Sequence, residues 1–252
     1  MALYMIGLGV NDIRDISVKG INYARECAVV YFEAYTGKFN SSVKEMEAVL
    51  GKKIIPADRE LVEKRAEEIL EQAKNKHAAF LVVGDPMSAT THIDLMMRAK
   101  KKNIAVHVIH GSSIFSAVGT TGLQLYKFGK TASIPYPKEG FEPTVYYDVL
   151  KKNLDSGCHT LFLLDVDAEN EKYMTVNEAV QLLLKAEEKK KEKVFSKQTL
   201  CVGCARLGSD DFAIKSGKAS ELLKFDFGRP AHCLIVPAKM HFMEEEALAM
   251  WK

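Results

Sequence analysis

The chain has 252 residues, 47% of them hydrophobic and 27% charged, which is typical of a globular protein with a substantial core. Its 35 basic and 33 acidic side chains leave a formal net charge of +2, so there is no general electrostatic reason to bind nucleic acid or an anionic membrane. No run reaches the roughly 18 apolar residues that span a bilayer. The five cysteines are scattered and the N-terminus lacks a signal-peptide pattern, so we expect a cytoplasmic protein with reduced thiols.

In the first half of the chain, short apolar runs alternate with helical patterns. The apolar runs predict strands buried on both faces of a parallel sheet, at residues 3–8, 28–32, 78–83 and 104–109. Residues 58–74 predict one helix with Asp58 as its N-cap, because their apolar residues fall on one helical face. Thr91 to Asp94 has the pattern of a capping box, which predicts a second helix running toward Lys100.

The second half of the chain repeats this alternation. Strands are predicted at residues 160–166, 200–205 and 233–236, and helices at residues 144–154, 176–190 and 244–250. The charge-dense stretch 187–193 is interpreted as a solvated helix end. Strands that alternate with helices predict the α/β class. A crossover near residues 110–115 divides the chain into an N-terminal α/β domain, 1–112, and a C-terminal α/β domain, 113–252.

Three glycine-containing segments follow predicted strands and are candidate ligand sites. Gly7-Leu8-Gly9 could approach a ligand closely or form a tight turn, but Asp12 breaks the dinucleotide-binding fingerprint. Gly84-Asp85-Pro86 lies at the carboxyl edge of the predicted sheet, where Asp85 could accept hydrogen bonds from a ribose or an amine, or could simply begin a turn. The segment from Gly111 to Ile114 could present amides and hydroxyls to a ligand, or could connect the two halves.

The cysteine pair and the histidines offer weaker signals. Cys201 and Cys204 lie in a predicted strand, where residues three apart face opposite sides, and no second metal-ligand pair accompanies them. We therefore predict no metal site and no redox motif there. His232 leads a predicted strand and is either a polar site residue or a strand-edge histidine with its hydrogen bonds satisfied.

Several of these segments resemble the diphthine synthase family of tetrapyrrole-methylase-like methyltransferases. The matching segments are 3–9 (LYMIGLG), 31–36 (YFEAYT), 84–92 (GDPMSATTH), 111–114 (GSSI), 122–126 (GLQLY), 173–179 (YMTVNEA) and 226–237 (DFGRPAHCLIVP). The glycine motifs are shared by the wider superfamily and indicate S-adenosylmethionine. The segments EAYT, ATTH and RPAHCLIVP are more particular to diphthine synthases.

The resemblance implies a two-domain tetrapyrrole-methylase-like fold with S-adenosylmethionine in the cleft between its domains, and a homodimer. It implies the following cofactor-binding residues: Val10, Asp85, Ser88, Ser113, Ile114, Leu164, Leu207 and His232. Asp85 is expected to bind the ribose, and the apolar members to surround the adenine and the methionyl stem. No catalytic residue follows from the resemblance.

The implied substrate is the 3-amino-3-carboxypropyl-histidine of translation elongation factor 2, methylated several times in diphthamide biosynthesis. The alternatives are a related methylase acting on a tetrapyrrole or ribosomal RNA, and a non-catalytic S-adenosylmethionine-binding relative. The near-neutral charge argues against RNA. The likeness looks closer to eukaryotic-type members, which implies four methyl transfers and a methyl ester rather than three transfers.

Overall fold

The computed structural model describes residues 1–33, 35–167 and 170–252. Ala34, which belongs to the EAYT segment, lies outside the described residues. Contacts between residues divide the chain into two units, Met1–Ala117 and Val118–Lys252. The predicted domain boundary after residue 112 lies inside the first of these units. Both units contain a β-sheet with flanking helices, which is the predicted α/β class.

The first unit is built on a five-stranded sheet. Its strands are β1 (Ala2–Gly7), β2 (Val29–Glu33), β3 (Ile54–Ala57), β4 (Ala78–Val82) and β5 (Ala105–Ile109). The strand order is β3-β2-β4-β1-β5, and all neighbouring pairs are parallel. This confirms the predicted parallel sheet. All five residues of β4 are buried, as expected for a strand covered on both faces.

Helices cover both faces of this sheet. They are α1 (Val18–Glu26), α2 (Val43–Leu50), α3 (Arg59–Glu63), α4 (Ala66–Asn75), α5 (Ile93–Lys101) and the short α6 (Ile114–Ala117), with a 3-10 turn at Ile13–Asp15. Leu3 and Met5 of β1 face a core shared with α3, α4 and α5. Ile6 faces the opposite core, which contains residues of α1 and α2. Alternate residues of β1 therefore serve two hydrophobic cores, as the two-residue period of a strand requires.

Three predictions for this unit were wrong in detail. Strand β5 is an edge strand, exposed at Ala105 and His107, rather than a strand buried on both faces. The predicted helix 58–74 is two helices, although the Asp58 side chain does accept the capping hydrogen bond from the Leu61 amide at 2.7 Å. The helix breaks at Lys64 and Arg65, whose amide groups both donate to the carbonyl of Glu60. Apolar periodicity continues in phase across this break and therefore does not reveal it.

The predicted capping box at Thr91 is absent. Helix α5 has His92 at its N-cap position, without a side-chain capping bond. The neighbouring Thr90 hydroxyl donates to the carbonyl of Pro86, so it holds the preceding loop instead. Asp94 pairs with Arg98, one turn further along the helix, at 2.7 Å.

The second unit contains a mixed five-stranded sheet. Its strands are β6 (Ala132–Ile134), β7 (Thr160–Leu164), β10 (Leu200–Ala205), β11 (Ala213–Lys218) and β12 (His232–Val236), and β8 (Val166–Asp167) and β9 (Lys172–Tyr173) form a separate hairpin. The strand order is β11-β10-β12-β7-β6. Only the β6–β7 pair is parallel among the described pairs of this sheet.

A large hydrophobic core of the second unit lies on one face of that sheet. The helices of the unit are α7 (Val145–Asp155), α8 (Val176–Lys190), α9 (Ala219–Leu222) and α10 (Phe242–Ala249), with 3-10 turns at Val118–Thr121 and Leu125–Lys127. Helices α7, α8 and α9 supply this core together with Phe195 and Phe227. The structure confirms the predicted helices 144–154 and 176–190 closely, as α7 and α8. Helix α10 begins two residues earlier than the predicted residue 244, because His241 caps it.

The two cysteines of the predicted strand lie on opposite faces of β10, as expected. Cys201 belongs to the large core, and Cys204 lies directly across from Cys233 on β12. Burial raises the pKa of the Cys201 thiol well above its ordinary value. Within the described ranges, no group of three or more His, Cys, Asp or Glu side chains is placed to hold a metal ion. No helix of the described chain combines the length and hydrophobicity that crossing a membrane requires.

Candidate functional site

Three glycines meet at the carboxyl ends of the neighbouring strands β4, β1 and β5. Gly7 ends β1, Gly84 follows β4, and Gly111 follows β5. A Cβ added at Gly7 would lie 2.6 Å from both the Gly84 oxygen and the Gly111 nitrogen. The amides of Gly9 and Gly84 also donate to each other's carbonyls, at 3.1 and 2.7 Å. The glycines therefore let the three strand-end loops pack backbone against backbone, at the position where open α/β sheets bind ligands.

Asp85 is the hydrogen-bonding centre of this strand edge. The side chain is buried, and its Oδ1 accepts from the Met87 amide at 2.8 Å and the Ser88 hydroxyl at 3.2 Å. Its Oδ2 lies 2.7 Å from Nδ1 of His110 and accepts from the Gly111 amide at 3.2 Å. A carboxylate offers about four acceptor positions, so these four contacts use all of them.

The charge state of Asp85 follows from these contacts. Burial by itself would raise the pKa of the Asp85 carboxyl, but the hydrogen bonds from Met87, His110 and Gly111 outweigh it and lower the pKa below its ordinary value. The carboxyl is therefore an ionised, acceptor-only group. It ties the loop after β4 to the loop after β5, and the expected hydrogen bond to a ribose would have to displace one of its present partners.

The structure brings the five predicted site residues of the first unit to this same edge. Val10 follows the glycine turn after β1 and is half-buried, and Ser88 contacts Asp85. Ser113 is buried at the start of α6, where its carbonyl accepts from the amides of Ser116 and Ala117. Ile114 is the first residue of α6 and is half-buried. Among the described residues, the Ser113 hydroxyl has no hydrogen-bond partner.

The three predicted site residues of the second unit also lie together. His232 begins β12, where it is paired with Ala205 at the end of β10. Leu164 ends β7, one residue beyond the Leu163–Cys233 pair. Leu207 is buried just after β10. These residues therefore share one end of the β10-β12-β7 part of the sheet.

His232 is a histidine with both ring nitrogens engaged. Nδ1 accepts from the Val176 amide at 3.4 Å, so Nε2 carries the proton and donates to the carbonyls of Gly228 and Arg229 at 3.2 and 3.1 Å. Burial lowers the pKa of His232 below its ordinary value, which keeps the ring neutral. This is the satisfied strand-edge histidine that the sequence left open as one of two interpretations. Neither nitrogen is available to take a proton without losing a contact.

Two polar residues of the strand ends were missed in the sequence. His110 directly follows β5 and is the side-chain partner of Asp85. Glu33 ends β2 and is fully buried, and its carboxylate accepts from the Tyr35 and Thr36 amides at 3.0 and 2.7 Å. Burial raises the pKa of Glu33 above its ordinary value, although these hydrogen bonds oppose the shift. Their positions in the sequence could have revealed them, because both are polar residues at the carboxyl end of a predicted strand.

Comparison with known proteins assigns the family. The profile described as tetrapyrrole (corrin/porphyrin) methylases matches residues 2–223. A diphthine synthase of Methanococcus maripaludis is 47% identical over 247 residues, covering 98% of this chain and 97% of the relative. The chain belongs to the diphthine synthase family. A diphthine synthase of Methanocaldococcus jannaschii is also 47% identical, over 249 residues and the same shares of both chains.

Solved structures of diphthine synthases share the fold. A crystal structure of a diphthine synthase superimposes with a TM-score of 0.90 at 39% identity, covering 100% of this chain and 96% of the other. A candidate diphthine synthase from Entamoeba histolytica gives a TM-score of 0.93 at 41% identity, covering 100% and 98%. Since the archaeal sequences are 47% identical, the comparisons do not support a closer likeness to eukaryotic-type members. The expectation of four methyl transfers stays a prediction.

Proposed function

We propose that this protein transfers several methyl groups from S-adenosylmethionine to the 3-amino-3-carboxypropyl-histidine of translation elongation factor 2, forming diphthine or its methyl ester in diphthamide biosynthesis. The observation that carries the proposal is the 47% identity to diphthine synthases over 98% of the chain. The glycine edge, with the buried Asp85 and the serines beside it, supports a donor site at this end of the sheet.

We propose cofactor contacts in both units at the residues inferred from the family resemblance. They are Val10, Asp85, Ser88, Ser113 and Ile114 in the first unit, and Leu164, Leu207 and His232 in the second. These residues fit the group, because its hydroxyls and charged amino-acid end need polar partners, which the hydroxyls of Ser88 and Ser113 offer. Leu164 and Leu207 offer apolar surface for the adenine. Asp85 acts chiefly by holding the two loops, since its four acceptor positions are in use.

S-adenosylmethionine supplies a methyl group on a positively charged sulfur, which is a good leaving group. The protein's task is then to align the donor with the amine and to exclude water, and alignment alone lowers barriers by roughly 7–11 kcal/mol. The strand-end loops are suited to alignment, because Asp85 and the glycine contacts fix them to each other. The substrate amine must also lose a proton before each transfer, and His232 has no free nitrogen to accept it.

The proposed partners are elongation factor 2 and a second copy of the chain, in the cytoplasm where translation occurs. Exposed apolar side chains on α10 and on the turn at Leu125–Lys127 support an interface, since Phe242 is 61% exposed and Tyr126 is 82% exposed. Light scattering coupled to gel filtration should give twice the chain mass. A monomer at micromolar concentration would rule out the homodimer.

The function is tested by mass spectrometry of elongation factor 2 isolated from cells that lack this protein. Purified enzyme and S-adenosylmethionine carrying a deuterated methyl group are added, and the peptide with the modified histidine is analysed. A gain of three or four labelled methyl groups supports the function, and the number identifies the product. An unchanged peptide, with S-adenosylmethionine still bound, would assign the protein to another methylase substrate or to a non-catalytic role.

A further inference from the structure

His110 is the one polar side chain of the described strand edge that is exposed to solvent and also contacts a buried carboxylate. It follows the last residue of β5, and its side chain is 71% exposed. Its Nδ1 lies 2.7 Å from Oδ2 of Asp85, whose side chain is only 7% exposed. Among the described residues, no hydrogen-bond partner faces its Nε2, and Asp85 is the titratable group in contact with the ring.

The contact with Asp85 decides which nitrogen of His110 carries the proton. An ionised carboxylate only accepts hydrogen bonds, so the short contact requires a proton on Nδ1. In the neutral ring, Nε2 is then left with a bare lone pair directed away from Asp85. A histidine held in one tautomer by a buried carboxylate is the arrangement that general-base catalysis uses, because the carboxylate also stabilises the imidazolium that forms.

We propose that His110 is the general base of the methyl transfer: its Nε2 accepts the proton that the substrate amine must lose before each attack, and Asp85 is its positioning residue. This rests on the proposed function. An N–H bond of the ammonium breaks, an Nε2–H bond forms, and the electron pair stays on the amine nitrogen. The imidazolium then releases its proton to water, which restores the base for the next transfer.

Other polar groups near this edge are less suited to the role. Asp85 has its acceptor positions filled, and its lowered pKa makes it a weak base. His92 is only 1% exposed and packs edge-on against Phe80, and burial lowers its pKa to about 4. Ser88 and Ser113 carry hydroxyls, which are far weaker bases than imidazole at neutral pH. Among the described residues of this edge, only His110 combines accessibility, a bare nitrogen and an orienting carboxylate.

The first test compares the wild-type enzyme with the H110Q and H107Q variants, using modified elongation factor 2 as substrate. His107 is the matched control, because it is an exposed histidine of β5, three residues before His110, that stacks on Tyr4 and does not contact Asp85. We expect kcat of H110Q to fall by roughly 100-fold to 10,000-fold, the usual share of a general base, and kcat of H107Q to stay within about twofold. The S-adenosylmethionine Kd of H110Q should stay within about threefold of the wild-type value, because His110 acts on the amine.

The pH profile separates a base from a structural residue. Wild-type kcat should reach a plateau as the pH rises, because a base on the enzyme then removes the substrate proton. In H110Q the rate should continue to rise by about tenfold per pH unit, because only substrate that is already deprotonated can react. Added imidazole should partly restore the H110A variant. A parallel loss of rate at every pH, without rescue, would show that His110 is merely structural and would overturn the proposal.

A second readout uses the free protein. Nitrogen-15 NMR of labelled histidine should show His110 protonated on Nδ1 at alkaline pH, and the D85N variant should lose this preference. An Nε2-protonated His110 in the wild-type protein would overturn the proposal. If the wild-type enzyme methylates the peptide and H110Q matches it, the base assignment fails and the function stands. If the wild-type enzyme binds S-adenosylmethionine but leaves the peptide unchanged, the proposed function fails first.

Discussion

Glu244 is a fully buried carboxylate with a complete set of partners in the second unit. Its Oε1 accepts from the Gln124 amide and from Nε2 of His159, each at 2.9 Å. Its Oε2 accepts from the His241 amide at 2.8 Å and from the ammonium of Lys127. The Ala238 amide donates to Nδ1 of His159, so that ring is neutral and its Nε2 proton points at Glu244. One side chain thus ties α10 to the turn at Leu125–Lys127 and to β7.

We predict that the E244Q variant is destabilised by ~3–5 kcal/mol at neutral pH, because an uncharged amide leaves Lys127 without its buried partner. Hydrogen bonds from His241, Lys127, Gln124 and His159 lower the pKa of Glu244 to about 2 despite the opposing effect of burial. This lies below the unfolded value of about 4.3, so the contribution is complete above pH 4.3 and is lost as the pH falls toward 2. Urea unfolding at several pH values measures the difference.

The control is E245Q, because Glu245 is the next residue of the same helix and is exposed. Its free energy of unfolding should change by no more than about 0.5 kcal/mol. A difference between wild type and E244Q that is as large at pH 2 as at pH 7 would contradict the assigned pKa. Equal stability of E244Q and E245Q would show that the buried contacts contribute nothing.

For single residues, the sequence predicted which side chains lie at the strand ends, but it did not predict which groups form hydrogen bonds with them. Asp85 was expected at the strand edge, and the structure places it there. Its partners His110 and Gly111, however, come from a loop about 26 positions away in sequence, which spacing alone cannot connect. The same applies to His232, whose Nδ1 partner Val176 belongs to another element. Contacts of this kind depend on strand order, which a single sequence leaves open.

At the scale of elements, the end of α8 shows how a charge run can conceal a structural residue. The stretch 187–193 was interpreted as a solvated helix end, which holds for Glu188, an exposed side chain. Glu187 behaves differently. Its carboxylate accepts from the amides of Lys193, Val194 and Phe195 at 2.8–2.9 Å and from the Tyr147 hydroxyl at 2.7 Å. It therefore shapes the chain reversal after α8.

We predict that E187Q loses about 2–3 kcal/mol of stability, because hydrogen bonds to a charged acceptor are stronger than those to an amide, whose NH₂ group would face backbone donors. E188Q, on the same helix, should change stability by less than about 0.5 kcal/mol. Thermal and urea unfolding of the two variants give the comparison. Similar losses of stability in both variants would show that Glu187, like Glu188, is only a solvated residue of the helix end.

Secondary structure was predictable where the local signal was strong. The four apolar runs of the first half are strands within a residue or two. Three of them, β1, β2 and β4, are largely buried, and buried parallel strands are continuously apolar. The break between α3 and α4 was not predictable, since it contains neither proline nor glycine and keeps the apolar stripe in phase. Strands β3, β6 and β11 were missed. All three lie at the edges of their sheets, where exposure dilutes the apolar pattern.

For the whole molecule, the alternation of strands and helices predicted the α/β class but not the direction of the strands in the second sheet. An apolar run has the same appearance in a parallel and in an antiparallel strand when both faces are covered. Direction is set by the connections, and the short link between β10 and β11 allows an antiparallel pair without a crossover. The first sheet has a helical connection between successive strands, which yields parallel pairs.

The whole molecule should be stabilised by S-adenosylmethionine if the proposed residues bind it. At a concentration of 100 times Kd, a ligand specific for the folded state adds about 2.7 kcal/mol. For a protein of this size that corresponds to a rise in Tm of roughly 5–10 °C. S-adenosylhomocysteine, which lacks the methyl group, should act similarly, whereas ATP should not. Differential scanning calorimetry measures the effect, and its absence at millimolar ligand would exclude the proposed cofactor site.

The ligand-induced rise in Tm also distinguishes the proposed role of Asp85 in ligand binding from the proposed role of His110 in proton transfer. D85N should lose most of the ligand-induced rise in Tm, because Asp85 fixes both loops of the glycine edge. D94N is the matched control, since Asp94 is a half-exposed acid of α5 paired only with Arg98 among the described ion pairs. H110Q should keep the full rise while losing turnover. If H110Q loses the rise in Tm as D85N does, His110 belongs to the ligand site itself. That result would refute the separate roles proposed for Asp85 and His110.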